Sequence, residues 1–459
     1  MASMAAVGLI GISQLTHSEE IIDSARKSYG TALCLTNAAL KDPGEAVKDT
    51  TMLSVLILGV YEMMAKPGLE TIKTWQDHIN GAMELAKLRG VEQFRTRAGV
   101  RMFKMLCENV TISCMQRGNP MPSELVALQN VLLSTTLTDH RPDEFDKNNF
   151  PKAIYKLLQV RHDMRMTDLR NSIDVLLSRL NELEVELDKP LSTFSADYYF
   201  KEYKVTCAHK AVFNDMCHVY PSIAIATACN WLRSGRILVL ETILAAVQRL
   251  FPEPGEHGEL VPADYMATFL QACSRLNHVH SAIIASMPQH FGLLDSVSPC
   301  FDSLKPVPTA GLPLLTTKIC KLPTPPAQSL ISSTEFVQTP SAYSDKIVDA
   351  RALCFDNETV RDDGGPSLNN PTRACNMEEE AEYFMLLASA TNSAVWPLFV
   401  VGVGSVCCPL LKEYVAARLD AIFDETGLRQ AQSVASIVRK KQTINSPWQK
   451  LYTQSDSMA

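Results

Sequence analysis

The segment PGLETIKTWQDHINGAMELAKLRG, residues 67–90, decides how the rest of the chain is read. Pro67 and Gly68 break whatever helix precedes them, and Gly90 stops the one that follows. Between these breaks Ile72, Trp75, Ile79, Ala82 and Ala86 recur at steps of three and four. That spacing gathers them into one apolar stripe along a helix, whereas a strand would need alternation with a period of two.

The same pattern extends in both directions, from residue 16 to about residue 292. Thr16 and Glu19 have capping-box spacing and predict a helix running toward Leu40, broken at Asp42, Pro43 and Gly44. A second helix is predicted from Glu45 to Ala65. Downstream, Gly118 to Pro122 separates two helices, Thr138 to Pro151 forms a polar connection, and Pro190, Pro221 and the stretch Pro252 to Gly258 interrupt further helical runs. No repeat of fixed period emerges, so a solenoid is not expected. Leu169, Ile173, Leu176, Leu180, Leu183 and Leu187 form a regular seam of under three heptads. It suits packing within a helical array, the preferred reading, or a homodimer through residues 169–187.

Between Pro299 and Pro371 the chain changes character, with ten prolines and many Ser and Thr. Such a stretch buries too little apolar surface to offset its ordering entropy. Helix resumes at Asn376, which has Glu379 three residues on and lies among Glu378, Glu380 and Glu382 at the favoured negative end. The predicted class is therefore all-α, a large multi-helix array with a long Pro/Ser/Thr-rich disordered connector. The expected division is a first helical part over 1–294, a flexible linker over 295–372, and a C-terminal helical part over 373–459 packing on the first.

Composition narrows the function classes. In 459 residues, 46% are hydrophobic and 20% charged, which suits a folded globular chain rather than a disordered or membrane-embedded one. Lys and Arg number 43 against 50 Asp and Glu, a formal charge of -7, so the chain as a whole is not drawn to phosphate backbones. The best basic element is Arg439-Lys440-Lys441, too few charges for a phosphate-tracking stripe and better read as a solvated helix end. The thirteen cysteines are odd in number and scattered through apolar runs, as reduced buried thiols would be. The apolar stretch Ala5 to Ile12 has no basic residue before it, so export is not expected. Met52 to Val60 is too short to span a bilayer, and Val395 to Leu411, broken by Pro397, Gly402, Gly404 and Pro409, reads as two buried pieces joined by a turn.

Several motifs approach a chemical site without completing one. There is no C-x-x-C pair and no H-E-x-x-H, Cys107 and Cys114 lie two helical turns apart, and His278-x-His280 lacks a following acidic or thiol partner. Phe399, Gly402 and Cys407 approach a haem-thiolate loop with the cysteine one residue late. Asn214-Asp215 approaches a magnesium motif of helical cyclases, yet His218 and Ser222 stand where metal-binding oxygens are needed. Gly402-x-Gly404 and Gly404-Ser405 complete neither a dinucleotide loop nor a nucleophile elbow. No catalytic, cofactor or metal residue is assigned and no cofactor is expected. The one dispersed set worth naming is Cys207, His209, Cys217 and His218.

Trp75-Gln76-Asp77-His78-Ile79-Asn80-Gly81-Ala82, with Leu85, Arg89-Gly90 and Phe94, resembles the W-x-x-H-x-x-G-A…RG…F signature of the fungal-specific transcription factor domain. Trp396-Pro397-Leu398-Phe399-Val400-Val401-Gly402 resembles the W-P-L-F-x-x-G run of that family, and Arg418-Leu419, Thr426-Gly427, Gln430-Ala431 and Pro447-Trp448 follow in its order. In this resemblance Trp75 is an anchor between helices, Gly81 and Ala82 permit close helix approach, and Trp396-Pro397 opens a buried helix. The resemblance implies a nuclear regulator of RNA polymerase II genes, commonly those of metabolism or secondary-metabolite clusters. Members usually carry a six-cysteine zinc cluster ahead of this domain, and none precedes it in this sequence. The expectation is a regulator that works through protein contacts, with a zinc-cluster DNA-binding factor as partner, without direct DNA binding and without a membrane. A helical enzyme and a metabolite-sensing module remain the alternatives.

Overall fold

The computed structural model describes residues 1–16, 18–65, 69–134, 150–193, 200–205, 210–252, 254, 260–291, 351–353, 393–426, 428–441 and 448. The chain divides into two compact bodies, Met1–Met166 with Thr426–Ser433, and Thr167–Glu425 with Val434–Ala459. Both are built from helices, as the apolar spacing requires.

In the first body, α1 (Ala2–Thr16) and α2 (Glu19–Lys41) form a hairpin that packs on α4 (Asp49–Ala65). The capping box expected at Thr16 does not form. Thr16 already ends α1, its hydroxyl bonding the Ile12 carbonyl at 3.0 Å, and Ser18 occupies the N-cap position of α2. The helix expected from Glu45 is likewise divided. Asp42 caps a single turn, α3 (Pro43–Ala46), by accepting from the amides of Gly44 at 2.8 Å and Glu45 at 3.2 Å, and α4 begins only at Asp49. Asp-Pro-Gly breaks one helix and starts the next because Pro supplies a preset φ at the first helical position and Asp supplies the cap.

The stripe of residues 67–90 lies on α5 (Leu69–Arg89), where Trp75, Ile79, Ala82 and Ala86 are all buried. A 3₁₀ turn, η1 (Gly90–Arg95), leads into α6 (Arg97–Arg117), followed by α7 (Ser123–Ser134) and α8 (Phe150–Met166). One apolar cluster links them, including Met52, Trp75, Phe94, Phe103, Leu106, Leu125 and Leu158. Gly118, at φ +65°, caps α6 in the left-handed conformation that glycine adopts without strain.

The second body opens with α9 (Leu169–Thr193), which runs through Pro190 rather than ending before it. Proline costs one backbone hydrogen bond there, and the burial of Leu187 and Leu191 on either side holds the helix together. The six-residue seam is buried throughout, from 6% exposure at Leu169 to 0% at Leu180, and α9 packs on α10 (Ile223–Leu250). The homodimer through 169–187 is thereby corrected: the stripe is consumed by packing inside one chain. β1 (Lys201–Val205) pairs antiparallel with β2 (Met216–Val219) and parallel with β3 (Arg351–Leu353), a small sheet that the helical reading missed. Its strands are only three to five residues long, too short for periodicity to register.

α11 (Ala263–His290) packs on α10 and on β2. Val395 to Leu411 forms two pieces joined by a turn, as expected: α12 (Ser393–Gly402) and then α13 (Pro409–Thr426). α14 (Arg429–Lys440) follows. A Cβ on Gly402 would come within 2.9 Å of Val415 and of Val438, so glycine is what lets the end of α12 meet both side chains. α10 has the length and hydropathy to cross a membrane, but 61% of its apolar window is buried in the fold and Arg233 and Arg236 lie on its buried face. Apart from β3, the connector expected over 295–372 lies outside the described residues, as do Asn376 and the acidic run after it.

Candidate functional site

The signature residues of α5 build a corner rather than a pocket. A Cβ on Gly59 of α4 would lie 3.4 Å from the His78 Cβ and 3.6 Å from Cδ1 of Trp75, so the close approach expected at Gly81 occurs at Gly59 instead. Gly81 is exposed and a Cβ there would meet nothing within 4 Å. Its place on the outer face of α5 explains this, since the buried stripe passes through Ala82. Gln76 bonds the Ser113 hydroxyl of α6, and Arg89, itself buried, pairs with Asp49, which also accepts from the Thr96 hydroxyl at 3.0 Å. Gly90 takes a φ of +55° at the turn, and Gln93 donates to the carbonyls of Ala86 at 3.0 Å and Gly90 at 2.6 Å. Phe94 then meets Phe103 edge-on, with centroids 5.0 Å apart. Gly99, absent from the sequence argument, is sterically obligatory: a Cβ there would stand 1.9 Å from the Gln93 carbonyl oxygen.

The second body carries the polar chemistry. Ser222 caps α10, accepting from the Ile225 amide at 3.3 Å, and aims a row of polar side chains inward. Asn230 is fully buried; it donates to Ser286 at 2.8 Å, stands 3.3 Å from His290 Nε2 and accepts from Arg233 Nη1 at 3.0 Å. The Arg233 guanidinium lies 5.7 Å from the Phe200 ring centre and 5.6 Å from that of Tyr220. Gln289 clamps Tyr220 reciprocally, accepting from its amide and donating to its carbonyl, both at 2.8 Å. Ser393 of α12 joins the same network, 3.1 Å from Thr227 and 3.4 Å from His290 Nδ1.

On the α9 side, Glu184 is buried and receives Arg236 at 3.0 and 2.5 Å and Arg275 at 3.2 Å, while Asp188 also pairs with Arg236. Burial holds the Asp188 carboxyl above its usual range despite Arg236. His218 stacks on Phe200 at 4.0 Å and faces Glu202 at 3.7 Å; burial lowers its pKa to about 4. His278 is lowered by burial and then by Arg236 and Arg233. His280 is fully buried, edge-on to Gly404, with neither ring nitrogen bonded among the described residues, and desolvation brings it to about 3. His218 and His280 are therefore neutral near pH 7, and proton exchange at these two buried rings would require the interior to open.

Three deeply buried thiols are passive. Burial pushes Cys107, Cys217 and Cys407 up to about 12, so none supplies a thiolate nucleophile or ligand at neutral pH. Among the described residues no group of three or more His, Cys, Asp or Glu converges on one point. Of the dispersed set, Cys217 and His218 are adjacent on β2, and Cys207 and His209 lie outside the described residues. Asn214 and Asp215, both at φ 57°, form a left-handed turn before β2. Arg439 pairs with Asp420 and Lys441 bonds the Val403 carbonyl, so two of the three charges in the basic candidate serve the helix ends. Trp448 anchors its segment by donating to the Phe251 carbonyl at 2.8 Å and packing on Phe269.

Residues 1–203 match the family model described as Fungal specific transcription factor domain. That match supports a role in transcription regulation. The second signature, at Trp396 to Gly402, lies outside the matched residues. No curated protein and no solved structure matches the chain.

Proposed function

We propose that this protein regulates RNA polymerase II genes in the nucleus, those of a metabolic or secondary-metabolite pathway, and that it acts through protein contacts with a zinc-cluster DNA-binding factor. The observation that carries this reading is the fungal specific transcription factor domain over residues 1–203. Its signature side chains are engaged in packing α4, α5 and α6 together, which suits a scaffold that presents surfaces to partners. A net charge of -7 favours a partner that supplies the grip on DNA.

The test tethers the full chain to an unrelated DNA-binding domain upstream of a reporter. Reporter output should change several-fold in either direction, and deletion of the gene should alter transcripts of one metabolic cluster. No change in either measurement would remove the regulatory reading. A specific gel shift by this chain alone at physiological salt would overturn the protein-contact mechanism, since direct readout needs side chains held in a groove.

A further inference from the structure

Arg161 and Arg165 lie four residues apart on α8, so both side chains leave the same side of that helix. That side meets the end of α6. The Arg165 guanidinium lies directly over Gly118, where a Cβ would come within 1.7 Å of its Nη2. It donates to the Arg117 carbonyl at 3.3 Å and to the Arg161 carbonyl at 3.4 Å, both long bonds that leave most of its donors unused. Arg117, next to Gly118, has an exposed side chain at the same corner.

Arg161 is the anomaly. It is half-buried, and among the described residues its guanidinium has no hydrogen bond and no ion pair. Burial lowers its pKa and the neighbouring Arg165 lowers it further, so the site works against the cation it holds. The only acidic residue of α8, Asp163, is bonded to Gln159 at 2.7 Å and, two residues on from Arg161, points the other way. Half-buried charges are ordinarily paired, yet Arg161 and Arg165, four residues apart on one side of α8, have no acidic partner among the described residues.

We propose that Arg161 and Arg165 form a binding site for a doubly charged phosphate group. Two guanidiniums match a dianion in charge, and their planar forks match phosphate oxygens in geometry, whereas a carboxylate would neutralise only one of them. The partial negative charge at the α6 terminus is already met by Arg165, which leaves Arg161 as the principal ligand. The site belongs to the first body and does not depend on the regulatory reading.

The full chain, held at constant ionic strength with chloride, is titrated calorimetrically with inorganic phosphate and separately with methyl phosphate. Saturable binding of one anion per chain is expected. Tighter binding of methyl phosphate assigns the site to phosphate carried on an organic molecule; tighter binding of inorganic phosphate assigns it to the free ion. Affinity for the ester should rise as pH increases through about 6, where a phosphate monoester gains its second charge. Arg161→Met should weaken binding at least ten-fold, and without phosphate it should melt at or above the temperature of the parent, because a like charge beside Arg165 is gone. Absence of saturable binding to the parent, equal binding by Arg161→Met or Arg161→Gln, or an affinity indifferent to pH would overturn the assignment.

Discussion

The two bodies solve the problem of a helical interior differently. The first gathers Met52, Trp75, Phe103, Leu106 and Leu158 into an apolar core and keeps its main ion pair, Arg89 with Asp49, at a helix junction. The second places Asn230, Arg233, Ser234, Arg236, Ser286, Gln289 and three histidines among its buried residues. Apolar contacts are non-directional and tolerate sliding, while a bonded polar row permits only one register of α10 against α11 and α12. The first body should therefore lose stability when volume is removed, and the second when a bond partner or a protonation state is changed.

Volume comes first. Trp75→Ala removes an anchor of the α4–α5 contact and should cost about 4 kcal/mol, the range for truncating a buried tryptophan. Hydrogen exchange should accelerate in α4 to α6. If the variant melts like the parent and only regulation fails, Trp75 serves a surface instead.

Glu184→Gln keeps the shape but removes the charge facing Arg236 and Arg275, and should cost about 3 kcal/mol, near the lower end for breaking a buried pair. Denaturant unfolding measures it. Replacing Glu184, Arg236 and Arg275 together by apolar residues should recover much of that loss, and failure to recover it would mean the network contributes net stability.

Acid should separate the bodies by about 2 kcal/mol per fully desolvated histidine at pH 5, reckoned from about 1.4 kcal/mol for each pH unit below the unfolded value near 6.5. The sign follows from His218 and His280, whose folded pKa values are lowered to about 4 and about 3. Between those values and 6.5 the unfolded chain binds more protons, so this stability is complete above 6.5 and declines as pH falls. His280→Leu should flatten the slope between pH 6.5 and 4 in α11; an unchanged slope would exclude His280 as a source.

The smallest effect is expected at the α6 terminus. Gly118→Ala forces a side chain into a left-handed φ and against Arg165, a loss of about 1 to 2 kcal/mol. Melting temperature reads it directly, and a neutral result would show that Arg165 moves aside at no cost.

Much of this was legible before any coordinates. Period-3.6 stripes at residues 72–86 and 169–187 establish helices with one buried face, because a helix side chain returns to the same side every three or four residues whatever lies opposite. The Trp75 motif falls within residues 1–203, which match the family model, and the Trp396 motif falls outside them. Tertiary structure alone decided what each stripe meets: α9 lies on α10 of its own chain rather than on a second copy, Gly59 rather than Gly81 is the point of close approach, and Gly99 must lack a side chain because the Gln93 carbonyl is there. The polar interior was invisible for the same reason. Asn230, Arg233 and Arg236 are polar residues of one helix that the tertiary packing buries, and His280 is fully buried with Gly404, 124 positions along the chain, against its ring. Local periodicity depends on neighbours three or four residues away, whereas burial, pairing and protonation depend on contacts made from anywhere in the chain.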